Sequence, residues 1–179
     1  LTRQTVQAYR DGLFILLSND QPKPIREPGH PGNLELVPPA KVPKRRLGTP
    51  VGLAIMIHAI THIEFNAINL AWDAVYRFRD LPKQFYSDWI TVAAEEAHHF
   101  ELLRKRLSAF GYDYGDWPAH NGLWEMAVLT ATDPLMRMAL VPRILEARGL
   151  DVTPGIIRRL RQIGDEQTAA ILEIILRDE

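Results

Sequence analysis

The chain contains no cysteine. That excludes disulfides, thiolate-ligated zinc and cysteine nucleophiles together, and it fits a reducing compartment, so a cytoplasmic location is the expectation. Net charge is nearly absent as well: 21 Lys and Arg against 22 Asp and Glu leave −1, so no overall field draws the molecule to nucleic acid or to an anionic membrane. No continuous run of about 18 apolar residues occurs, and no membrane span is expected. The opening LTRQTVQAYRDGLF lacks the charged start, apolar stretch and small-residue cleavage site of a secretory leader. A glycine-rich fingerprint after a strand is missing too, so no nucleotide site is read.

What is present is helical. With 179 residues and 46% apolar composition the chain suits one domain with one core. Eight of the thirteen prolines fall between Pro22 and Pro50, a stretch that holds neither helix nor inner strand and reads as an extended arm. Ahead of it, residues 4–18 suit a short helix with Val6, Tyr9, Leu13 and Leu16 or Leu17 on one face. After Pro50 the apolar period becomes that of long helices. Four are expected: about 51–78, 84–110 closed by Gly111, 121–148 closed by Gly149, and one from Thr153-Pro154 to the end. Short joints make the first two and the last two antiparallel hairpins. The longer GYDYGDWPAHN is the candidate crossover of a four-helix bundle.

The stretch AAEEAHHF, residues 93–100, puts four ionisable groups into an apolar run. At 3.6 residues per turn Glu96 and His99 share the face of Ala93, Leu103 and Leu107, while Glu95 and His98 lie about 100° away at its rim. Glu64 likewise lies with Ile57, Ile60, Ala67, Ile68, Ala71 and Val75. Glu146 follows Leu135, Ala139 and Pro142, and Glu179 follows Ile171, Leu172, Ile175 and Leu176. Each expected helix thus carries one glutamate on its apolar stripe, where an unpaired carboxylate is costly. The separations repeat: 96 − 64 is 32 residues and 179 − 146 is 33.

One Glu from each of two helices, with Glu-x-x-His from each of the other two, builds a carboxylate-bridged dinuclear iron or manganese site. Glu64, Glu96, His99, Glu146 and Glu179 are the candidate ligands of two metal ions, iron first and manganese second. Blander readings stand beside this: a hydrogen-bonded polar pair for Glu96 and His99, pairing of Glu146 with Arg143, and a loose chain end for Glu179. His58 and His62, four apart, point away from the Glu64 face and read as solvated or supporting residues.

LVPPAKVPKRRLGTP, HAITHIEFNAINLAWDAVYRF, FYSDWITVAAEEAHHFELLRKRL, YGDWPAHNGLWEMA, ALVPRILEARGLDVTPG and GDEQTAAILEIILRDE together resemble a ferritin-like family of bacterial proteins catalogued as a domain of unknown function. The resemblance covers nearly the whole chain. It implies an all-α, ferritin-like antiparallel four-helix bundle over 51–179, with residues 1–50 as an N-terminal helix and proline-rich arm packed on it. It also implies kinship with ferritin-like oxidases, including the diiron tRNA hydroxylase, and the same five ligands. Two departures stand out. His98 occupies a place where the family often has Arg. The family's second Glu-x-x-His would continue past Glu179, so the expectation is a truncated fourth helix without the sixth ligand.

Three functions compete. The first is an oxygen-activating dinuclear oxidase or hydroxylase acting on a small-molecule or macromolecular substrate; the second binds metal without catalysis; the third is a structural or interaction module. A monomer or dimer is expected. The basic patch KVPKRR, Lys41 to Arg46, invites an RNA reading, tRNA by analogy with the hydroxylase. So short a cluster makes few phosphate contacts, and a solvated loop is preferred.

Overall fold

The computed structural model describes residues 1–13, 21–141 and 147–179. Among them are seven α-helices: α1 (Thr2–Arg10), α2 (Pro50–Arg77), α3 (Lys83–Ser108), α4 (Gly122–Leu129), α5 (Pro134–Leu140), α6 (Ala147–Gln162) and α7 (Glu166–Asp178). No strand is present among the described residues, only an isolated parallel bridge between Leu36 and Ala119. The all-α expectation therefore holds.

Helix α2 is the spine. Thr49 opens it by accepting the Gly52 N–H at 3.1 Å, with Pro50 in the first turn. Its most apolar 18-residue stretch reaches a mean hydropathy of 1.4, so by length and composition it passes as a membrane span, contrary to the expectation that no segment would. It carries buried His58, His62, Glu64, Asn66 and Asp73 and packs along α3, as a core helix does. The pair is antiparallel: Val75 shares a cluster with Ile90, while Leu53 and Ile57 share one with Leu103 and Leu107.

Helices α6 and α7 close the latter cluster with Ile157, Leu160, Ala169, Leu172 and Ile175. At the other end α1 covers the seam with Val6 and Tyr9. This helix stops at Arg10, before Gly12 at φ 71°. The expected helix over 4–18 is thus corrected: Leu13 is exposed, and Leu16 and Leu17 lie outside the described residues. The proline-rich arm lies against α2, where Asn69 donates to Gly29 O at 2.9 Å and Tyr76 accepts the Lys23 N–H at 2.8 Å. Its Leu34 is buried with Tyr114 and Ala119.

The two later helices differ from expectation. The stretch 121–148 is not one helix. It breaks after Leu129, and Asp133 starts α5 by accepting the Met136 N–H at 3.0 Å, with Pro134 following. An Asp-Pro pair favours starting a helix over continuing the one before it. The last element does not begin at Thr153-Pro154. Helix α6 runs through Pro154 at the cost of a backbone bond. The break comes at Gly164, φ 81°, before Asp165 caps α7 through the Thr168 N–H at 3.0 Å.

The core face of α5 is also reversed. Leu135 is 79% exposed and Ala139 is exposed, while Arg137 is 2% exposed. Arg137 bonds Asp73 at 2.7 Å and Thr130 Oγ1 at 2.7 Å, and it also donates to Ala127 O. Asp73 takes Arg77 as well, at 2.6 Å. Three helices are tied by one buried carboxylate. Removing it leaves a buried guanidinium unpaired, so Asp73→Ala is expected to lose about 3–5 kcal/mol in urea unfolding. The double variant Asp73→Ala/Arg137→Met should recover part of that loss; additive losses would contradict the pairing.

Candidate metal centre

Helical spacing on α3 projects Glu96 and His99 together, and both are buried, at 6% and 2% exposure; Glu95 and His98 are exposed. Across the seam α2 supplies Glu64, 4% exposed, and the end of α7 supplies Glu179. One ligand atom from each of Glu64, Glu96, His99 and Glu179 lies within 4.8 Å of every other. His99 Nδ1 is 3.5 Å from Glu64 Oε2 and 3.5 Å from Glu96 Oε2. Four of the five candidates therefore converge. The fifth, Glu146, lies outside the described residues.

Asp178 is a residue the stripe pattern did not single out. The His99 Nε2–H donates to its Oδ2 at 3.3 Å. That bond sets the ring so that Nδ1 faces the carboxylates, the arrangement of a ligand histidine held by an outer carboxylate. The signal for it was local: Asp178 adjoins a candidate ligand. Its partner on α3 is 79 residues away, which no periodicity reports.

Electrostatics mark the cluster as tightly coupled. Burial, with Glu64 beside it, pushes the Glu96 carboxyl up to about 7 from 4.5, while His99 pulls the other way. Burial opposes charge on His99, yet Glu64, Glu96 and Asp178 outweigh it and raise its pKa to about 10. Glu179 is raised by burial first and by Glu96 next, although the residue as a whole is exposed. Two buried atoms, Glu96 Oε2 and His99 Nδ1, have no hydrogen-bond partner. They face the centre of the cluster, and an orphaned carboxylate oxygen beside an orphaned imidazole nitrogen is a donor set for iron, manganese or zinc. The residues fit a metal.

Glu96 also borders a small recess whose other walls include Ala67, Leu70, Ala74, Trp89, Val92 and Met138, with Arg137 as its second charged group.

The chain belongs to the family described as Protein of unknown function (DUF455), whose model matches residues 1–179. An uncharacterized protein of Haemophilus influenzae is 53% identical over 151 residues, covering 80% of this chain and 52% of the relative. The chain thus spans about half the length of that relative. No solved structure matches.

His58 and His62, expected to be solvated or supporting, are both buried. The arm and the loop after α3 cover the second side of α2. His62 Nδ1 accepts from the Tyr114 hydroxyl at 2.8 Å and its Nε2–H donates to His120 O at 3.0 Å. His58 Nε2 accepts the Gly115 N–H at 3.1 Å. Burial first, and His62 next, lower the His58 pKa to about 4 from 6.5. The unfolded chain therefore takes up this proton before the folded one. The stability His58 contributes is present above pH 6.5 and lost as pH falls through about 4. His58→Gln retains an acceptor for Gly115 and cannot titrate. The stability difference between wild type and this variant is expected to shift against wild type by about 2–3 kcal/mol between pH 7 and pH 4 in urea unfolding. A difference independent of pH would mean that His58 charges freely in the folded protein.

Proposed function

We propose that this member of the DUF455 family is a ferritin-like, carboxylate-bridged dinuclear metal protein, iron or manganese, that oxidises or hydroxylates an apolar substrate group. The observation that carries it is the convergence of Glu64, Glu96, His99 and Glu179 within 4.8 Å, with Glu96 Oε2 and His99 Nδ1 buried and unpartnered at its centre. Three carboxylates and one imidazole suit a hard or borderline divalent cation, and the buried setting makes a cation the natural complement of their charge. Glu146 is proposed as the fourth protein carboxylate, from the segment between α5 and α6.

Bound iron supplies one-electron and dioxygen chemistry that no side chain here can perform. The chain's own contribution is placement. Asp178 holds His99 by its Nε2–H, so that Nδ1 and not Nε2 is offered. Glu64 and Glu96 come from two helices locked along their length, which fixes the separation of their carboxylates. The recess beside Glu96 offers mainly apolar walls next to that carboxylate. That recess favours an oxidoreductase over a module that only holds metal.

Anaerobic titration with Fe(II) and with Mn(II), followed by metal analysis of the washed protein, tests the reading. Two equivalents per chain are expected. Glu96→Gln and His99→Ala are each expected to reduce retention to background, and Asp178→Ala to weaken affinity by about 10–100-fold. Wild-type protein that retains no metal would sink the proposal. Retention of iron without oxygen-dependent reoxidation would leave the metal site standing and remove the catalytic half.

A further inference from the structure

We propose that the recess between α2, the 42–45 segment of the arm and the 118–123 segment binds the oxyanion end, phosphate or carboxylate, of a small organic ligand through Arg45, His58 and His120. The recess lies on the side of α2 away from Glu64. It is a second site, and it does not rest on the metal reading.

Hydrogen bonding fixes what each histidine can offer. His58 Nε2 accepts the Gly115 N–H at 3.1 Å, so the ring proton sits on Nδ1. Among the described residues that Nδ1–H has no acceptor, although His58 is 2% exposed. His120 Nδ1 accepts the Gly122 N–H at 3.2 Å, which places its proton on Nε2. His62 is spent on Tyr114 and on the His120 carbonyl. Arg45 lines the recess and pairs with no carboxylate among the described residues. His58, His120 and Arg45, each with an N–H left to donate, therefore line one recess, and no acidic side chain lines it.

That is the complement of an oxyanion, since only acceptors satisfy all three. The remaining walls, Val42, Ala59, Ile63, Pro118, Ala119 and Leu123, are apolar and suit the body of an organic anion. Asp116 is the one carboxylate that acts on His58. It is turned to the backbone, accepting the Asp113 N–H at 2.7 Å. Lys41, Lys44 and Arg46 flank Arg45 in the sequence, so the local field at the mouth is positive although the whole chain is nearly neutral. The patch read as a solvated loop acquires a purpose: Arg45 is its one charged member lining the recess.

Gly115 makes the floor buildable. Its φ of 107° suits glycine, and a side chain there would collide with Asn33. Only with glycine does this backbone N–H reach His58 and fix its tautomer.

The test is a titration of the ¹⁵N-labelled chain with inorganic phosphate, phenyl phosphate and benzoate in separate arms at constant ionic strength. Amide shifts of Gly115 and Gly122 report the two rings. Saturable shifts are expected there with at least one of the three, and the arm that saturates identifies the oxyanion. Arg45→Gln is expected to weaken that binding by about tenfold or more, and Lys44→Gln by less than about threefold. The spectrum of each variant shows that it is folded. The proposal is overturned if no arm gives saturable shifts at these glycines, if Arg45→Gln binds as wild type does, or if Lys44→Gln loses as much as Arg45→Gln.

Discussion

Everything in this molecule is arranged around the cost of burying Glu64, Glu96 and His99 in one seam. A carboxylate taken from water into an apolar helix interface loses several kcal/mol unless something replaces its hydration. Here the replacement is mutual and partial: His99 faces both carboxylates at 3.5 Å, longer than a good charge-assisted bond. The seam does not collapse onto these groups, because the apolar contacts on either side of them set the helix separation. Leu103 and Leu107 hold one flank and Val75 with Ile90 the other. The frame is fixed by packing and the polar centre is left short of partners, which is the condition for a site that takes a cation.

The same constraint recurs at Asp73, solved in another way. There the buried carboxylate receives two guanidiniums, Arg77 at 2.6 Å and Arg137 at 2.7 Å, and Arg137 is further bonded to Thr130. Nothing is left over for a ligand. Two buried acids on one helix, nine residues apart (73 − 64), therefore have opposite roles. Asp73 is saturated by cations from within the chain and organises α4 and α5. Glu64 faces one histidine and two more acids, the group proposed above to hold a metal cation.

The sequence carried the seam because the seam is periodic. Glu64, Glu96 and His99 could be found by counting turns, since α2 and α3 are long, uninterrupted and packed along their length. Helices without those properties were misread. On α5 the apolar residues Leu135 and Ala139 face outward, because the Arg137–Asp73 pair, 64 positions apart, decides which side turns in. The break at Asp133-Pro134 is a local signal overridden in the reading by the period around it. The break at Gly164 is a bare glycine with a positive φ, which sequence alone does not distinguish from a tolerated one. His58 and His62 were assigned outward because one helix face was assumed to be the core. The arm and the post-α3 loop bury the second face, and a one-helix pattern holds no information about them.

That second face sits close to the first in packing, although the two sites are proposed to take ligands of opposite charge. Phe65 follows Glu64 and Phe100 follows His99. Both rings pack on Tyr114, with centroids 5.2 and 5.3 Å away, and the Tyr114 hydroxyl holds His62. Tyr114 thus links the aromatic neighbours of Glu64 and His99 to a histidine of the recess. A change at Tyr114 therefore bears on both sites at once, since it removes the ring packed on Phe65 and Phe100 and the hydroxyl that holds His62.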